Sequence, residues 1–153
     1  MQPLRPIDWA AAQFNRAGGY QGQVLFGGES CQIIATRVPP GVERPPTHVH
    51  PSDQIFYIIE GELEIELGSA TVSARAGESV FIPAGLPHHN RNTATTAEVH
   101  LEVIAPGVTA GIPLARMLDA GEVAAPWPRP RAEALEGVVK GPDTPQGRMF
   151  SMS

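Results

Sequence analysis

From Tyr20 to Ile104 the chain alternates apolar and polar residues in short runs closed by glycine or proline, a period of two that predicts strands. Strands are expected over 20–26, 31–38, 54–59, 62–67, 70–74, 79–82, 88–92 and 97–104. Turns at Gly27-Gly28-Glu29-Ser30, Glu60-Gly61-Glu62, Gly68-Ser69 and Pro83-Ala84-Gly85 part them, the last requiring positive φ at Gly85. Within 62–67, Glu62, Glu64 and Glu66 alternate with Leu63, Ile65 and Leu67, which reads as a solvated face over an apolar one. Cys31, Ile33, Ala35 and Arg37 share one strand face, as do Gln54, Phe56 and Ile58 on another strand. The run 97–104 has two faces, Val99, Leu101 and Val103 against Glu98, His100 and Glu102, and alternation alone leaves open which is inside. Helical patterns are confined to 8–14, with Asp8 as N-cap and Gly18-Gly19 as stop, and to 112–123. Beyond them, Pro126-Trp127-Pro128-Arg129-Pro130 excludes a helix interior or a central strand.

Composition agrees with many short strands. The 153 residues, 42% of them hydrophobic, suit one globular domain, and Gly and Pro number 16 each. A formal charge of -5 and a pI near 5.5 argue against nucleic acid, which needs a basic face. No apolar run approaches the ~18 residues of a membrane span, and the first residues lack a signal peptide's hydrophobic stretch, so a cytoplasmic protein is expected. Cys31 is the only cysteine, which rules out an intrachain disulfide and a thiolate-rich zinc site.

All five histidines lie between positions 48 and 100. On an extended strand His48 and His50 project to one face with Cα atoms roughly 6.5 to 7 Å apart, close enough to share a metal ion. Gln54 follows, then Gly61. Gly77, Pro83, Gly85, His88 and Asn92 form a second constellation. In these residues the chain resembles the cupin superfamily. Gly41, His48, His50 and Gly61 fit its first motif, with one extra residue before His48 and Gln54 where glutamate is usual. Gly77, Pro83, Gly85, His88 and Asn92 match its second motif at every position.

The resemblance implies an all-β fold, the cupin double-stranded β-helix or jelly-roll barrel, over 20–106, with an N-terminal arm at 1–19 and a Pro-rich C-terminal extension at 107–153. It implies one divalent transition metal ion, Fe, Mn, Ni, Zn or Cu, near His48, His50, Gln54 and His88. It implies a homodimer. It also places Glu102, and with it His100, inside the cavity. Because Gln54 offers a neutral carbonyl oxygen in place of a carboxylate, the ion keeps its full charge and is a stronger Lewis acid. An anionic or enolisable small molecule is then the expected substrate, with Glu102 and His100 as catalytic candidates for proton transfer in isomerase or lyase chemistry. Arg37 is a candidate contact for an anionic substrate, and Phe56 an apolar one. Two other readings stay open: an Fe(II) dioxygenase of a diketone or phenol, and a non-catalytic barrel that binds a small ligand or a metal.

Overall fold

The computed structural model describes residues 6–15, 19–42, 46–107 and 115–119. Its strands are β1 (Gln13–Asn15), β2 (Tyr20–Gly27), β3 (Gln32–Val38), β4 (His48–Val49), β5 (Asp53–Glu60), β6 (Glu62–Leu67), β7 (Ala70–Arg75), β8 (Ser79–Ile82), β9 (His88–Arg91), β10 (Glu98–Ala105) and β11 (Arg116–Met117). They form two antiparallel sheets, one in the order β1-β2-β3-β10-β5-β8 and one in the order β11-β4-β9-β6-β7. Packed face to face, they make the all-β double-stranded β-helix. Among the described residues no helix is long and apolar enough to cross a membrane.

Alternation decides which residues meet between the sheets. Val38, Phe56 and Ile58 from the six-stranded sheet pack with Leu63, Ile65, Ala74 and Ile82. Behind Leu63 and Ile65, the three glutamates of β6 stand on the outer face, each facing a base across the sheet. Glu62 meets Arg75 at 3.3 Å, Glu64 meets Arg91, and Glu66 meets His89 at 3.0 Å. The acidic row is therefore a set of cross-strand pairs, with arginine for Glu62 and Glu64 and with histidine for Glu66.

On β10 the polar face is the inner one. Glu98 and His100 are buried, and the register sets His100 beside Thr36 and Ile58, Glu102 beside Ile34 and Phe56, and Ile104 beside Gln32 and Gln54. The opposite face carries a row across five strands, Phe26, Ile33, Val103, Ile55 and Phe81, each in register with the next. Phe26, Ile55 and Phe81 are 45%, 43% and 57% exposed.

Two helical expectations fail. Asp8 does cap a turn, its Oδ1 accepting from Ala10 N at 3.0 Å, but the chain then enters β1 and pairs with β2. In the 112–123 segment, Arg116 and Met117 form β11 and pair with Val49 and His48. Such short strands are made by their partners, and a local pattern cannot separate them from a helical turn. The remainder of that segment, apart from residues 115–119, lies outside the described residues, as do 16–18 and the proline-rich run 126–130.

Candidate metal centre

Three histidines converge from the five-stranded sheet. His48 of β4 is in register with His88 of β9, and His50 lies just beyond β4 on the same side as His48. The turn before β9 fastens the pieces. Gly85, at φ 75°, directs its N–H to His50 O at 2.8 Å, and Ala84 N donates to Asp53 Oδ1 at 2.8 Å. The positive φ at Gly85 is the one its turn demanded. Ring centroids lie 4.5 Å apart for His48 and His88, 5.0 Å for His48 and His50, and 5.3 Å for His50 and His88. One ligand nitrogen from each ring lies within 4.8 Å of the others.

Hydrogen bonds choose the tautomers. His48 Nδ1 donates to Pro46 O at 3.0 Å and His88 Nδ1 donates to Leu86 O at 2.8 Å, so each ring keeps a bare lone pair on Nε2. His88 Nε2 is buried without a hydrogen-bond partner. Burial pushes the His88 pKa down to about 4, with the charge of His48 adding to it and the Leu86 carbonyl opposing. Burial likewise lowers His48. Neutral imidazoles with free lone pairs around one centre are what a divalent transition ion requires, so these residues fit the metal.

The six-stranded sheet supplies the other wall. Gln54 of β5, 1% exposed, donates its Nε2 to Glu102 Oε1, which leaves Gln54 Oε1 buried and unpartnered, an acceptor free for a cation. Glu102 is raised above the usual carboxylate range by burial, against the pull of His100 and of the Gln54 hydrogen bond. His100 stacks on Phe56, centroids 4.6 Å apart at 28°, and its Nδ1 lies 3.0 and 2.9 Å from the two carboxylate oxygens of Glu98.

Phe56, Gln54, His100 and Glu102 thus share one interior with the three histidines. Arg37 does not. It stands on the outer face of β3 in register with Val99, while Thr36 and Val38 on either side face inward, so the expected contact with an anionic substrate is corrected by simple alternation. His89 faces away from His88, its Nδ1 3.1 Å from Thr47 Oγ1. Sequence reasoning placed Glu98 on the face of His100 without giving it a role, and passed over Thr36. Glu98 was legible as the i−2 neighbour of His100 on the same face. Thr36 needed the β3–β10 register, which no local pattern supplies.

Comparison with known proteins agrees with this geometry. Residues 35–105 match the Cupin domain family. The chain is 36% identical over 122 residues to a protein named Polyketide synthase CurC from Streptomyces cyaneus, spanning 72% of this chain and 79% of that one. Among solved structures, TT1209 from Thermus thermophilus is 30% identical with a TM-score of 0.55, covering 63% of this chain and 91% of its own. A Cupin 2 conserved barrel domain protein from Salinispora arenicola shares the fold at 22% identity and a TM-score of 0.60, covering 69% and 89%. The motif glycines, the inter-sheet histidines and these likenesses meet in one conclusion, that the chain belongs to the cupin superfamily.

Proposed function

We propose that the protein is a metal-dependent enzyme that moves a proton on an enolisable keto compound. One observation carries it: three imidazoles that converge on one centre share an interior with a carboxylate, Glu102, gripped by the neutral amide of Gln54. In this reading His48, His50 and His88 hold one divalent transition ion with Gln54 Oε1 as fourth donor. When bound, the ion supplies Lewis acidity toward a carbonyl oxygen. The chain's own residues do the rest. Glu102 takes the proton from the carbon beside the carbonyl: the C–H bond breaks, an O–H bond forms on the carboxylate, and the electron pair moves to the carbonyl oxygen. Return of that proton to a different atom gives the isomer. Burial makes Glu102 a stronger base than a solvated carboxylate, and Phe56 offers an apolar wall beside it. The relative's name supports a β-dicarbonyl substrate of the kind found in polyketides, whose C–H between two carbonyls is acidic.

The test is deuterium uptake from D₂O at the α-carbon of a 3-ketoacyl thioester, followed by NMR without oxygen. Exchange that depends on a metal ion and is lost on chelation supports the reading. Oxygen consumption with a diketone, and no exchange without oxygen, would replace it with dioxygenase chemistry.

We also propose that two copies pair through the outer face of the six-stranded sheet. The row of Phe26, Ile33, Val103, Ile55 and Phe81 crosses five strands, and a two-fold axis through it would lay each copy's apolar row on the other's.

A further inference from the structure

Glu98 is the buried group that this reaction leaves unused. It is fully buried, and among the described residues its carboxylate is bonded only to the His100 ring. A buried carboxylate is expensive, and apolar packing of the same volume would serve stability as well or better. Three features fix the ring it holds. Its Nδ1 faces both oxygens of Glu98, its plane stacks on Phe56, and its strand places it beside Thr36. Gly61 brings Glu98 close: with φ 78°, a side chain there would put its Cβ 2.9 Å from Ala97 O and 3.1 Å from the Glu98 Cα.

An ionised Glu98 can only accept, which would place the proton of the pair on Nδ1, and Nε2 on the far side of the ring makes no hydrogen bond among the described residues. The same interior is short of partners elsewhere. Thr36 Oγ1 and Gln54 Oε1 are both buried and unpartnered, a deficit that a polar ligand would fill.

We infer that Glu98 is a positioning residue that locks His100 in the Nδ1–H tautomer, leaving Nε2 as a proton acceptor toward the ligand and making His100 the second proton-transfer group. This rests on the proton-transfer reading above. In a 1,3-shift Glu102 takes the C–H proton and delivers it to the enolate oxygen; His100 Nε2 then accepts that O–H proton, and the protonated ring delivers it to the other terminal atom of the shift, which returns both groups to their starting state. No other reactant is needed.

Nitrogen-15 NMR of the full-length protein loaded with zinc and labelled at histidine reads the tautomer directly and without substrate. The wild type should show His100 with a protonated Nδ1 and a bare Nε2. Glu98→Gln, whose amide can donate to Nδ1, should move population to the Nε2–H form, and Glu98→Asp should retain the wild-type tautomer. With the 3-ketoacyl thioester, Glu98→Gln should lower kcat about 10-fold to 100-fold with KM and zinc content unchanged, and Glu98→Asp should recover part of the loss. A wild-type His100 protonated at Nε2, or a Glu98→Gln spectrum identical to wild type, overturns the inference. If Glu98→Gln does not fold, the wild-type and Glu98→Asp spectra decide. Failure of exchange in the wild type sinks the proton-transfer reading, while the spectra still judge the tautomer.

Discussion

At the scale of residues, the site depends on which groups stay neutral. His88 is held near a pKa of about 4, below the 6.5 of an unfolded chain, so between those values the unfolded state binds more protons and the folded state loses stability as pH falls. For the metal-free protein that loss amounts to ~3 kcal/mol from His88 alone, complete by about pH 4. Urea unfolding of metal-free protein from pH 7 to 4 should show the midpoint falling, and His88→Gln should flatten the curve. Glu102 has the opposite sign. Its folded pKa lies above its unfolded one, so its contribution is present at low pH and is lost as pH rises through the folded value. Glu102→Gln should therefore stabilise the metal-free protein at pH 7 in the same denaturation assay, although it removes the proposed base.

At the scale of elements, the turn before β9 and the short strand β4 decide whether the histidines meet. Gly85→Ala forces a side chain into positive φ where the N–H must still reach His50 O, and should cost about 1 kcal/mol or more. Metal affinity should fall with it, measured by competition with a chromogenic chelator, whereas Gly41→Ala, strained by a like φ of 72° but with its N–H bonded to Asn92 O instead of to a histidine, should cost stability and leave affinity nearly unchanged. The long strands were legible in sequence because one face of each is apolar: β6 emerges with Leu63 and Ile65 buried and its glutamates outside, as its alternation stated. On β10 alternation named two faces and could not rank them. The inner face there is the polar one, because Glu98 and His100 satisfy each other and Glu102 accepts from Gln54. Arg37 was misassigned for the same reason, since a face is defined only against its partner strands. β1 and β11 were misread because three or two residues carry no period.

At the scale of the whole molecule, two sheets split the work: the five-stranded sheet carries the three histidines, and the six-stranded sheet carries Gln54, Phe56, His100 and Glu102. The proposed histidine ligands and the proposed proton-transfer pair, Glu102 and His100, therefore lie on different sheets, with Gln54 touching both roles. The outer face of the six-stranded sheet is the one proposed to meet a second copy, and light scattering at micromolar concentration should give a dimer that Ile55→Lys with Phe81→Glu converts to a folded monomer. A monomeric wild type would contradict the pairing. The central claim, that the interior moves protons through Glu102 beside a resident metal ion, is tested most directly by α-carbon deuterium uptake in the Glu102→Gln variant at full metal occupancy. The account predicts uptake slower by ~10² or more than wild type, the scale of a lost general base. Uptake equal to wild type would contradict it.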